Sequence, residues 1–159
     1  MKPYRDLTVY NIIFPIFMFY ISPTFFGLAA AFNLIIDALV LFAFLRFFNI
    51  KLKRRIPLLM QLWGIGLLAD VLGSFVLLLA AVGGKWLPIP VIDEYAIYSS
   101  PLSILTFCVA ILISAQLIYW LDLKVLKRRL TVNQSRRIAL VFAIVTAPYT
   151  FLIPTVWFL

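Results

Sequence analysis

Five long apolar runs leave this chain little choice of solvent. Residues 7–21, 24–48, 57–82, 102–121 and 138–159 are dominated by Leu, Ile, Val, Phe and Ala. A bilayer core of about 30 Å is crossed by about 20 such residues in a helix that rises 1.5 Å per residue. The runs take up roughly two thirds of the chain, so no soluble domain fits beside them. Composition agrees: 65% of the 159 residues are hydrophobic and 13% charged, against roughly 45–50% and 25% in an ordinary soluble domain. A cytoplasmic globular enzyme, a disordered protein and a nucleic-acid-binding domain are excluded on that ground. The chain has no histidine and one cysteine, Cys108. It therefore offers no Ser-His-Asp triad, no imidazole for haem or zinc, no disulfide and no CxxC pair. No cofactor and no metal site are expected.

The breaks between runs have local causes. Proline disfavours helix in the residue before it, so Ser22-Pro23-Thr24 separates the first run from the second, and Thr24 can cap the second. Without that break, 7–48 would form one helix of about 63 Å, twice the membrane. Gly83-Gly84 closes the third run, and Pro88, Pro90 and Pro101 keep the following loop irregular. Pro57 and Pro101 stand at first-turn positions, where a missing N–H costs nothing.

Orientation follows from the basic residues. Of the 14 lysines and arginines, all but Lys85 fall on one side if every run crosses. By the positive-inside rule the N-terminus is expected to be cytoplasmic and the C-terminus external. Tyr119 and Trp120 mark the inner interface, and Tyr20, Trp86, Tyr95, Tyr98 and Trp157 the outer one. The formal charge of +8 is then chiefly a topology signal, with attraction to anionic inner-leaflet lipids second. The first run is the weak point, being short and interrupted by Pro15. A re-entrant hairpin there would leave four crossings and an external N-terminus. A signal peptide cleaved after Ala29-Ala30-Ala31 would cut the second span and leave too short a stub. The sequon Asn133-Gln134-Ser135 lies on the expected cytoplasmic side and is read as idle.

Lipid gives no hydrophobic drive for helix association, so small and weakly polar residues should mark the contacts. They form seams: Ala30, Asn33 and Asp37; Gly66, Asp70 and Ser74; Thr106, Ala110 and Ser114 with Ser103; Ala139, Ala143 and Ala147. Pro148 and Pro154 remove the hydrogen bonds to the carbonyls of Ile144 and Thr150, so the last helix is expected to bend, with Thr146 or Thr150 able to satisfy the freed groups. Pro15 is a third expected kink.

Among the six acids, Asp6 and Asp122 sit among basic residues and Asp93-Glu94 in the external loop. Asp37 and Asp70 differ, because they lie about 16 Å and 20 Å from the inner ends of their runs, near mid-bilayer. An ionised Asp at that depth costs about 2.5–3.5 kcal/mol on insertion scales, and no basic residue lies within the spans to compensate. Three states are open: protonated acids, a proton shared between a coupled pair, or a bound cation. Asn33 and Ser74, each one turn away, supply neutral oxygens for any of them. The plain alternative is an interhelical hydrogen-bond clasp, which contributes only about 0.6 kcal/mol on average.

Other motifs fail. Gly64-Ile65-Gly66-Leu67-Leu68-Ala69 fits a dinucleotide pattern but lies inside a span with no preceding strand. Gly83-Gly84-Lys85 lacks the earlier glycine of a phosphate loop, since Leu79 stands there. Intramembrane aspartyl proteases also carry two acids on adjacent spans, but their Gly-x-Gly-Asp signature is replaced by Leu67-Leu68-Ala69-Asp70. Lipoprotein signal peptidases are similar in length. Their Gly-Asn-x-x-Asp motif finds only a faint echo in Asn33-Leu34-Ile35-Ile36-Asp37, and their late second acid has no counterpart. The runs Phe32-Asn33-Leu34-Ile35-Ile36-Asp37-Ala38-Leu39-Val40, Gly66-Leu67-Leu68-Ala69-Asp70-Val71-Leu72-Gly73 and Thr146-Ala147-Pro148-Tyr149 resemble segments of small uncharacterised integral membrane proteins of Gram-positive bacteria. That likeness implies a bacterial cell membrane and no mechanism.

The expected architecture is all-α, a polytopic transmembrane helix bundle of five spans. The expected role is a small transporter or channel handling protons or cations at Asp37, Asp70, Asn33 and Ser74, working alone or as a homo-oligomer. The alternative is a non-catalytic assembly or regulatory subunit of a larger membrane complex. No nucleic-acid partner is expected.

Overall fold

The computed structural model describes residues 23–84 and 97–152. The expected first span with Pro15, the loop 85–96 carrying Trp86 and Tyr95, and residues 153–159 with Pro154 lie outside the described residues. Helix is the only regular structure among the described residues: α1 (Pro23–Phe47), α2 (Arg55–Gly84), α3 (Pro101–Leu126) and α4 (Val132–Val145), with 3-10 turns at Ile97–Ser99 and Tyr149–Leu152. Four stretches are long and apolar enough to cross a membrane, namely Gly27–Phe47, Arg55–Gly84, Pro101–Leu126 and Val132–Leu152.

The helix ends are closed by specific bonds. At the end of α1 the N–H of Ile50 reaches the carbonyl of Leu45 at 2.8 Å and the N–H of Asn49 that of Arg46 at 3.1 Å. This is the paired bonding of a Schellman turn, and it needs a left-handed residue, which Asn49 supplies with φ 52°. Ile50 packs back against the core that contains Leu45, the apolar contact that accompanies this turn. α4 opens on a capping box: Thr131 and Gln134 each bind the other's main-chain N–H through their side chains. The helix therefore begins six residues before the apolar run at 138. Arg136 and Arg137 stay exposed while Ser135, Ile138 and Ala139 on the other face are buried.

The far end of α4 differs from the expected bent helix. The helix stops at Val145, and the chain resumes as a 3-10 turn after Pro148. Proline removes a donor and pushes its predecessor out of helical geometry, so the ladder terminates there. The freed carbonyl of Ile144 accepts the Tyr149 hydroxyl at 2.6 Å, and the Thr146 hydroxyl donates to Phe142 O at 2.8 Å. Tyr149 thus takes the part that sequence spacing assigns to a threonine.

Successive helices run antiparallel. Ser114 on α3 donates to Ala69 O on α2 at 3.1 Å, and Arg129, just past α3, donates to Arg54 O and Gln61 Oε1 at 3.2 and 3.4 Å. α1 is tied to α2 by the Trp63 indole, which donates to Ala30 O at 2.9 Å. The seams face inward: Gly66, Ser74, Ala110, Ser114, Ala139, Ala143 and Ala147 are buried, whereas Leu28, Phe32, Leu39 and Leu112 are among the outward residues that are more than 60% exposed. One buried cluster, including Leu41, Leu45, Leu58, Leu62, Leu126, Ile138 and Phe142, fills the end where Arg46, Arg55, Lys124 and Arg136 lie. A smaller one, of Leu77, Ala110, Ile111, Ala147 and Phe151, fills the other end. There the Tyr98 hydroxyl donates to Leu152 O at 2.8 Å.

Of Gly27, Gly64, Gly66, Gly73 and Gly83, only Gly73 has other elements pressed against the place of its missing side chain. A Cβ added there would run into Ser114 Oγ and stand 3.0 Å from Phe151 Cε2. Gly73→Ala should therefore lower thermal stability in detergent by about 1–3 kcal/mol through overpacking. Gly64→Ala, with nothing within 4 Å, should leave it unchanged or slightly higher, since alanine favours helix.

Candidate functional site

Asp37 is placed by its own helix. It lies one turn from Asn33 and one turn from Leu41, on the face of α1 that turns inward, and only 3% of it is exposed. Asp70 lies on α2 and is partly buried. Its Oδ2 accepts from Asn33 Nδ2 at 3.5 Å, the long limit of a hydrogen bond, so the amide bridges α1 and α2. Ser74 does not face the carboxylate in this way: its hydroxyl donates to the main-chain carbonyl of Asp70 at 2.7 Å. Such back-bonding is the usual resting place of a serine inside a helix.

A third acid joins these two. Asp122 on α3 is 0% exposed, although basic residues surround it in the sequence. The i, i+2 neighbour Lys124 points to another face of the helix and is exposed. Among the described residues no lysine or arginine makes an ion pair with any of the three acids.

The helical rise sets the depths. Measured from the helix ends on the basic side, Asp122, Asp37 and Asp70 stand about 6, 15 and 22 Å into the bundle. Three carboxyls thus form a staircase across α3, α1 and α2, with Asn33 at the deepest step. The described acids and Cys108 form no group of three or more close enough to hold a metal ion. The staircase is strung out along the helices and is not cupped around a point.

Its most informative property is incompleteness. Asp37 Oδ1, Asp70 Oδ1 and both carboxyl oxygens of Asp122 are buried with no hydrogen-bond partner among the described residues. A buried acceptor left in that state costs about 1–3 kcal/mol. These oxygens are free to take a proton, a water or a cation. No family model, curated protein or solved structure matches this chain, so the chemistry of the site has to be read from these residues.

Sequence spacing singles out Asp37, Asp70, Asn33 and Ser74 and passes over Asp122. The signal was present: the seam of Thr106, Ala110 and Ser114, carried two more turns at four-residue steps, passes Ile118 and arrives at Asp122. The apolar run ends at 121, whereas the helix continues to Leu126.

Removing an unpartnered buried acid should stabilise the bundle. Asp122→Val, apolar and close to Asp in size, is expected to raise stability in detergent by about 1–3 kcal/mol, measured by thermal unfolding. An unchanged or lower midpoint would mean that the carboxyl is held by a partner.

Proposed function

We propose that this protein moves protons, or a small monovalent cation, across a membrane by way of Asp37 and Asp70, with Asn33 and Ser74 in support and Asp122 as the step nearest the basic end. The observation that carries the reading is the set of buried carboxyl oxygens without partners at graded depths. Acids inside a membrane are costly, and their usual occupation is a relay or an ion pathway. A protonated carboxyl both donates and accepts, so successive acids can hand a proton along. Asn33, already placed against Asp70, keeps a polar group at the deepest step whichever protonation state that acid holds.

The full topology belongs to this proposal as well. Five crossings, with the N-terminus in the cytoplasm and the basic end facing it, follow from the positive-inside rule. A bacterial cytoplasmic membrane follows from the resemblance to Gram-positive membrane proteins. Assembly as a homo-oligomer would enlarge the pathway that a few helices can enclose.

Flux into proteoliposomes tests the mechanism. The wild-type protein should dissipate an imposed proton or cation gradient, and Asp37→Asn and Asp70→Asn should each slow it about tenfold or more, the scale of a lost proton-transfer step. Unchanged flux in both variants, or none from the wild type, overturns the reading. Asp-to-Asn effects confined to co-purification of another protein would favour the subunit alternative. Topology has its own check in a Cys108→Ser background. A membrane-impermeant maleimide added outside intact cells should label Lys85→Cys, and should reach Lys127→Cys only after the membrane is opened.

A further inference from the structure

The turn between α1 and α2 shapes a cleft of about 540 Å³ on the basic end, lined by Phe42, Leu45, Arg46, Asn49, Lys51 and Arg55 among others. We infer that this cleft is a binding site for one anionic phospholipid, its headgroup phosphate held by Arg46, Lys51 and Arg55 and its acyl chain laid over Phe42.

Three observations carry this. The first is charge. Arg46, Lys51 and Arg55 are exposed and line one cleft that no acid lines, and none of them makes an ion pair among the described residues. Like charges held together repel, and a phosphate relieves that repulsion while offering oxygens to forked guanidinium donors. The second is preorganisation. Asn49, in its left-handed conformation, reverses the chain so that Lys51 and Arg55 come back beside Arg46. Arg55 is further oriented by the bond from its Nε to Leu52 O at 3.4 Å. That bond leaves both terminal nitrogens of the guanidinium for a ligand.

The third observation separates a lipid from a free anion. Phe42 lies four residues before Arg46, hence one turn deeper and on the same helix face. It is 41% exposed although it lines the cleft. The cleft therefore has a cationic rim at the level of headgroups and an apolar wall leading into the hydrocarbon. An amphiphile matches both parts, whereas inorganic phosphate would leave the aromatic wall unused. The site is separate from the carboxyl staircase and stands whether or not ion movement is found.

The full-length protein in neutral detergent, titrated with short-chain phosphatidylglycerol, provides the test, with the number of retained lipids read by native mass spectrometry. Saturable binding of one lipid is expected, at least tenfold tighter than short-chain phosphatidylcholine or inorganic phosphate. The double variant Arg46→Gln/Arg55→Gln should weaken it tenfold or more. Arg136→Gln/Arg137→Gln removes the same charge elsewhere on that end and should not. Phe42→Ser, which keeps every charge, should weaken lipid binding and leave phosphate binding unchanged, and it serves if the double variant is not monodisperse. Absence of saturable binding, equal loss in both double variants, or equal affinity for lipid and inorganic phosphate would overturn the inference.

Discussion

A medium without water makes every polar group the protein's own responsibility, and this bundle meets that demand unevenly. The main chain is closed with care. Asn49 ends α1, the pair Thr131 and Gln134 opens α4, and Tyr149 takes up the carbonyl that Pro148 abandons. The acids are treated in the opposite way. Asp37, Asp70 and Asp122 hold buried oxygens that nothing in the described structure satisfies. Main-chain groups within a membrane have to be satisfied by the fold itself. Side-chain carboxyls in the same interior have no such necessity, and their retention at a cost in stability is the feature that most separates this chain from a plain hydrophobic bundle.

The two ends of the bundle are built differently. At the basic end, Leu and Ile side chains from all four helices form the larger core, and Arg129 straps the turn after α3 to the start of α2 through Arg54 and Gln61. At the other end the helices come together over small residues, with Gly73 against Ser114 and Phe151, so contact there depends on the absence of side chains. Helix association in lipid relies on close approach of this kind. Asp37 and Asp70 lie between these two regimes.

Much of the architecture was legible in the residues, because lipid simplifies the code: apolar length marks a helix, and small residues mark its inner face. The seams through Gly66, Ala110, Ala143 and their neighbours are buried, and Asn33 on one of them reaches Asp70 on the next across α1 and α2. Two kinds of feature stayed hidden. Helix limits set by caps escape a hydropathy reading, which is why α4 starts at Val132, inside a polar stretch. Charge counting also treats every acid near arginines as a surface acid. Asp122 shows the flaw, since a helix sorts its residues by angle before it sorts them by neighbourhood. Ser74 illustrates a subtler limit. Spacing sets Ser74 one turn from Asp70 but does not tell the main-chain oxygen, which its hydroxyl binds, from the side chain.

The interruption at Pro148 has a mechanical consequence. An unbroken helix passes a tilt at one end along its whole length, because every turn is bolted to the next. Here the segment Tyr149–Leu152 is joined to the rod before it by a phenol-to-carbonyl bond, and it is held in place by Phe151 beside Gly73 and among Leu77, Ala110 and Ile111 and by the Tyr98 hydroxyl on Leu152 O. The ladder of α4 therefore does not carry through to Phe151, whose position is set instead by its own contacts with α2 and α3. A tilt of α4 is thus not handed on to that segment through a continuous backbone.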